Sequence, residues 1–339
     1  MKKKKIVLMV LATVFILLTS CGPGEKKSSK GTSKNGVDAS QFPTKVENEE
    51  KAIDGATLRV AVVKDSPLNG IFNPFLYNDA YDGDIISMFV GSSLFSVDEN
   101  FEVTDNGAAT LTVDAPNKKA TIKIKDNVKW NDGKPLVAED VIFAYEVVAH
   151  KDYTGVRYND ESKKIVGIED YHSGKTSTIS GIKKIDDKTV EISFTEIGQG
   201  IYTVGNGLLG ASLPKHYLKD VTIKDMVSSP KSRDKILTTG PYYISKSVHG
   251  ESLELKANEN YFKGKPKIDR VTIQVVNSQT ISSAIKAGEY DITISMPGEL
   301  YPTIKDLGNI TILGRQELYY SYIGFKLGRW DNVKKANIT

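Results

Sequence analysis

Residues Thr57-Leu58-Arg59-Val60-Ala61-Val62-Val63 form a β-branched run that reads as a buried strand, and the rest of the chain has to provide its cover. Further strand patterns follow. Thr110–Val113 and Lys119–Ile124 flank a turn at Asp114–Lys118, and apolar and polar residues alternate in the second, as in a half-exposed strand. Lys184–Phe194 reads as a hairpin turn and an alternating strand. Gly240–Ile244, Leu253–Leu255, Val271–Val276 and Asp291–Ile294 are also extended. Helices are expected between them. Asp84–Phe95 carries Ile85, Met88 and Phe89 at helical spacing. The turn Asn131-Asp132-Gly133-Lys134-Pro135 leads into a helix from Glu139 to about His150, whose first-turn acids complement the helix dipole. Its Val141, Ile142, Tyr145 and Val148 share one face and are expected in the core. Ile281–Ala287 is a short helix closed by Gly288. Residues 64–83 are loop-like, and 151–180 read as a long polar excursion. Strands with interspersed helices make a mixed α/β body.

The N-terminus addresses the compartment. Met1–Lys5 is positively charged, and Ile6–Leu18 is almost wholly apolar. That run is short of the roughly 20 residues of a membrane span and fits the apolar region of a secretory signal. Leu18-Thr19-Ser20-Cys21 then resembles a bacterial lipobox. The resemblance implies cleavage before Cys21 and a diacylglycerol thioether on its sulfur, the thiolate being a strong nucleophile. Acyl burial is worth about 0.8 kcal/mol per CH₂, so two or more chains anchor firmly. Residues 22 to about 51 are rich in Gly, Ser, Lys, Asn and Glu and read as a flexible tether.

Several function classes are excluded or disfavoured. The formal charge is +3, but residues 1–20 hold four lysines and no acid; without them 45 basic residues fall to 41 against 42 acidic, a net of −1. A near-neutral chain lacks the clustered positive charge that nucleic acid requires. One cysteine excludes a disulfide framework and a cysteine zinc site, and His150, His172, His216 and His249 lack metal-motif spacing. Gly174-Lys175-Thr176 is not a phosphate loop, because Glu169 stands where its first glycine belongs. Asp186-Asp187 and Asp105-Asn106-Gly107 are turn chemistry. No nucleophile–base pair suggests an enzyme.

Longer signatures lie in the body. Leu94-Phe95-Ser96-Val97-Asp98-Glu99-Asn100 precedes a hairpin, and Ile124-Lys125-Asp126-Asn127-Val128-Lys129-Trp130-Asn131-Asp132-Gly133-Lys134-Pro135-Leu136-Val137-Ala138-Glu139-Asp140-Val141 is a strand–turn–helix. Thr239-Gly240-Pro241-Tyr242, Asn258–Pro266, Ala284–Asp291 and Tyr322-Ile323-Gly324-Phe325-Lys326 follow. Together they resemble the solute-binding proteins of oligopeptide and dipeptide ABC transporters, extracellular family 5. Each signature also has a local job: Gly133 and Gly240 permit turns, and Trp130, Tyr242 and Tyr261 pack.

The resemblance implies an α/β, periplasmic-binding-protein-like lobe of type II, peptide-binding class, with a mixed sheet and a β-rich subdomain. It implies a signal peptide at 1–20, a lipid-anchored tether at 21–55, a first lobe at 56–326 with a subdomain inserted at about 85–180, and the start of a second lobe at 327–339. In the family a second large lobe begins there, and the chain later returns to the first. Here that lobe is largely missing, so the sequence reads as a truncated frame or a fragment, and it is expected not to close on a peptide alone. Two family lobes close by a hinge on an extended peptide held through its main chain. The implied partners are oligopeptides, ABC permease subunits with their ATPases, and the membrane through lipidated Cys21, on the extracytoplasmic face. A monomer without cofactor or metal is expected. The loop implied to flank the cleft is Phe75–Asp82, with Tyr77, Asn78, Asp79 and Tyr81 as ligand-binding candidates and Trp130 and Tyr145 as weaker ones. Alternatives are a surface adhesin or peptide-signal receptor, and a binding protein for nickel, haem or sugar.

Overall fold

The computed structural model describes residues 41–46, 51, 53–314, 328–331 and 336–338. The chain divides into a body, residues 47–311, and a second unit formed by residues 1–46 with 312–339. The signal segment, Cys21, residues 22–40 of the tether and Tyr322–Lys326 lie outside the described residues.

Strands of the body are β1 (Thr57–Val63), β2 (Ser96–Val97), β3 (Val103–Thr104), β4 (Ala109–Asp114), β5 (Lys119–Ile124), β6 (Ile182–Asp186), β7 (Thr189–Ser193), β8 (Tyr242–Val248), β9 (Ser252–Ala257), β10 (Arg270–Val276) and β11 (Ile292–Ile294). In the second unit, β12 (Arg329–Asp331) pairs antiparallel with β13 (Ala336–Ile338).

The β-branched run lies inside a five-stranded mixed sheet, ordered β11-β1-β10-β9-β8. β1 runs parallel to both neighbours, and β9 and β8 are antiparallel additions. Both faces of β1 are covered. Val60 and Val62 join Val271, Ile273, Leu253 and Leu255 beneath Phe72, Ile85 and Phe89. Ala61 and Val63 face the other way, against Ile281 and Ile285 of the helix Ile281–Lys286. Full burial of each such aliphatic or aromatic side chain is worth about 1.5–3 kcal/mol. Elsewhere that second face is polar, carrying Thr272 and Gln274 of β10 opposite Glu254 and Ser252 of β9.

A four-stranded antiparallel sheet, ordered β4-β5-β7-β6, forms the other layer system. Ala120, Ile122 and Ile124 of β5 and Val190 and Ile192 of β7 alternate inward, as their spacing requires. The helix Ala138–Ala149 packs on β6 and β7 through Val141, Ala144, Tyr145 and Val148, while Ile142 is only partly buried.

Three local expectations need correction. The helix read as Asp84–Phe95 starts earlier, at Ala80, because the Asp79 carboxylate caps it by accepting from the Tyr81 amide at 2.9 Å. It widens into a π-turn over Ile86–Val90 and stops at Gly91. Residues 151–180 include the helix Ile168–His172 and bury Ser162, Ile165, Ile168 and Ile179. Gly240 is not needed for a left-handed turn: a Cβ there would sit 2.5 Å from the Gly91 carbonyl oxygen, so close backbone approach requires it. Gly133 does adopt the left-handed region, at φ +89°.

Candidate ligand-binding site

In open sheets with parallel strands, ligands sit outside the carboxyl ends of those strands. Here those ends are Val63, Val276 and Ile294. The segment 64–79 leaves β1 and returns through the helix Ala80–Ile85, so it rims that edge. Asp65 ties the rim to the segment after β10, accepting from the Ser278 amide at 2.8 Å and its hydroxyl at 2.9 Å. These donors hold the Asp65 carboxyl below the usual range. After β11, Ser295 takes a left-handed conformation at φ +59° and donates its hydroxyl to Asp84 Oδ2 at 3.0 Å. A non-glycine residue so placed is uncommon and marks a constrained rim.

The four sequence-predicted residues fall on this rim, but their environments differ. Asp79 already has partners. Besides capping the helix, it accepts from Lys64 Nζ at 2.7 Å, in a pair whose side chains are 8% and 14% exposed. Lys64 Nζ also donates to the Pro67 carbonyl at 3.0 Å and lies 4.8 Å from the Tyr81 ring centroid. Asp79 and Tyr81 therefore enclose a buried ammonium. Asn78 is exposed and accepts at Oδ1 from Asn69 Nδ2 at 3.2 Å. Tyr77 is half-buried, with its ring against Gly83 on one side and the Arg157 guanidinium 4.8 Å from its centroid. Tyr77 and Asn78 take no part in that ion pair.

Asp82, next along the loop, is wholly buried and accepts from the amides of Gly70 and Ile71 at 3.1 and 2.9 Å. Burial raises its pKa above the usual carboxylate range; the two amides and Lys64 oppose this, and nearby Asp79 reinforces it. It fixes the turn at Gly70, whose φ is +67°.

Trp130 and Tyr145, the weaker candidates, are core residues. Trp130 is fully buried and donates its indole N–H to Asp140 Oδ2 at 2.9 Å. The same carboxylate accepts from the amides of Val137 and Lys215. The Tyr145 hydroxyl accepts from the Leu209 amide at 2.9 Å, and burial raises its pKa. Sequence reasoning placed Asp82 in the Phe75–Asp82 loop without a role and missed Lys64 and Arg157, because the partner of each lies well outside any local motif. A groove of about 750 Å³ also opens beside Lys64–Pro67, over Glu254, Thr272 and Gln274. None of the four predicted residues lines it.

Comparison with known proteins supplies the remaining context. The profile of the family described as "Bacterial extracellular solute-binding proteins, family 5 Middle" matches residues 102–336. The oligopeptide-binding protein OppA of Lactococcus lactis subsp. lactis is 36% identical over 345 residues, spanning 100% of this chain and 57% of that protein. The oligopeptide-binding protein AppA of Bacillus subtilis is 29% identical over 335 residues, 96% of this chain and 54% of that one. The chain therefore spans little more than half the length of these relatives. The structure of lactococcal OppA, complexed with an endogenous peptide in the closed conformation, superposes at a TM-score of 0.72 with 36% identity, covering 75% of this chain and 48% of that one. Bacillus subtilis AppA with a nonapeptide gives 0.62 at 27% identity, covering 76% and 47%. The mixed sheet, the strand–turn–helix around Trp130 and the profile match have one common explanation: this chain belongs to the bacterial extracellular solute-binding proteins of family 5.

Proposed function

We propose that this chain is the peptide-contacting part of an extracytoplasmic oligopeptide-binding lipoprotein that hands its ligand to an ABC permease and its ATPases. The observation that carries this reading is the likeness to lactococcal OppA along all of this chain in sequence, and along most of it in fold. It acts by binding and not by catalysis. An extended peptide lies along the 64–84 rim, where Tyr77 and Asn78 offer an aromatic face and an adaptable amide. Its main chain supplies most of the hydrogen bonds, so selectivity for sequence is broad. Bridging waters fill the side-chain pockets. The first lobe, taken as residues 56–326 with a subdomain inserted at about 85–180, forms one wall of the cleft. The second lobe supplies the other.

Cys21 carries the lipid that holds the body at the outer face of the membrane, with residues 21–55 as a tether. Feeding cells labelled palmitate tests this: label enters the wild-type protein and is lost with Cys21→Ser.

The transport role is tested in an auxotroph offered its required amino acid only within a peptide. Disrupting the gene abolishes growth on the peptide and spares growth on the free amino acid. Unchanged growth on a range of peptides refutes the import role.

A further inference from the structure

Resting on the peptide-binding reading, one side chain beside the rim adds a ligand group to it. Arg157 is half-buried, and its guanidinium carbon lies 4.8 Å from the centroid of the Tyr77 ring. None of the guanidinium N–H donors has an acceptor or a carboxylate partner among the described residues. Of the other arginines of the body, Arg59 pairs with Asp291 and Arg233 donates to the Asn69 carbonyl, while the guanidinium of Arg270, like that of Arg157, has no partner among the described residues but is exposed on β10. Four acids close in sequence to one or other partner are already engaged. Asp79 is held by Lys64, Asp82 by two amides, Asp160 by Lys163 and Glu161 by Lys164.

The loop presenting Arg157 is rigidly docked. The Tyr153 hydroxyl donates to the Phe75 carbonyl at 2.5 Å and accepts from the Arg157 amide at 3.4 Å. Burial pushes that hydroxyl's pKa up to about 12. At Gly155 a Cβ would come within 2.6 Å of the Phe75 oxygen and 2.3 Å of the Tyr153 hydroxyl, so no side chain fits between the two loops. The Arg157 backbone is therefore anchored beside Phe75, and its guanidinium lies over the Tyr77 ring. Its fork matches a carboxylate in two parallel, charge-assisted hydrogen bonds, while the Tyr77 ring holds its face.

We propose that Arg157, held over Tyr77, is a docking point for a carboxylate of the bound peptide. That carboxylate is either the C-terminus or an acidic side chain.

The direct test follows the Arg157 Hε–Nε signal of the full chain by NMR, assigned through its loss in Arg157→Lys. N-acetylglycine, a minimal carboxylate, is expected to shift it saturably; N-acetylglycinamide is expected not to. Absence of a saturable shift with N-acetylglycine overturns the proposal.

Labelled peptides then separate the sources: one with a free C-terminus, one amidated, and one amidated with an internal glutamate. Arg157→Gln is expected to weaken the carboxylate-bearing peptide that docks there about tenfold or more, with the uncharged amide unaffected. Loss for the free terminus alone assigns the terminal carboxylate, and loss for the glutamate peptide assigns the side chain. Equal weakening of all three makes Arg157 structural and overturns the proposal while peptide binding stands. The peptide titrations use the native protein with both lobes; if it binds no peptide, the peptide-binding reading fails, and the N-acetylglycine titration alone decides the role of Arg157.

Discussion

Substituting Asp79 separates a structural role from a ligand role at the residue where the two conflict most. Asp79→Ala removes the helix cap, worth about 1 kcal/mol. It also leaves the Lys64 ammonium, 8% exposed, without its carboxylate. Breaking a buried pair from one side costs about 3–5 kcal/mol. The Pro67 carbonyl and the Tyr81 ring still attend Lys64, which offsets part of that loss. A net destabilisation of about 3 kcal/mol is expected, read from urea unfolding at pH 7 through the fluorescence of buried Trp130. Asp79→Asn keeps the cap and loses only the charge, so it costs less. Combining it with Lys64→Met removes both charges, and the double variant is expected to lose about 2 kcal/mol less than the two single losses added. An Asp79→Ala stability within about 0.5 kcal/mol of wild type would refute this reasoning. A loss of peptide affinity in Asp79→Asn at unchanged stability would restore Asp79 as a ligand group.

Three further outcomes follow from the same geometry. Gly240→Ala drives a methyl into the Gly91 carbonyl and is expected to lower stability by about 1–3 kcal/mol in urea unfolding; the open Gly133 site, where only backbone strain opposes alanine, loses about 1 kcal/mol. Tyr145→Phe leaves the buried Leu209 amide without an acceptor, costs about 1–3 kcal/mol, and exposes that amide to hydrogen exchange. The Arg59 guanidinium holds the Asp291 carboxyl below its ordinary pKa of 3.8, so the linked stability is present above that pH and is lost as pH falls through the depressed value. Arg59→Met is expected to flatten that part of the acid-unfolding curve.

The strands were legible because their signals are local. Thr57–Val63 and Lys119–Ile124 reveal themselves by β-branching and alternation, and the structure has both at those residues. The order of the sheet was not legible. β1 opens the body, yet it lies between β10 and β11 from the body's far end, and no periodicity encodes that pairing. Apolar spacing places the start of the helix at Asp84, four residues late, because Ala80–Gly83 offers no apolar stripe; its start is set by the carboxylate of Asp79. Residues 151–180 look polar because their few core positions, Ile165, Ile168 and Ile179, follow no regular period.

At the rim, composition cannot tell an available group from an occupied one. Asp79 is committed to Lys64 and the helix end, while Arg157, remote from Tyr77 in sequence, has an unmatched charge. Both facts depend on tertiary contacts.

The most direct test of the central claim is to isolate the native protein from its own membrane fraction and sequence by mass spectrometry whatever it releases on denaturation. The account predicts a mixture of peptides of varied sequence. A single metal complex or a sugar, or a protein that releases no peptide even after cells are fed them, would contradict it.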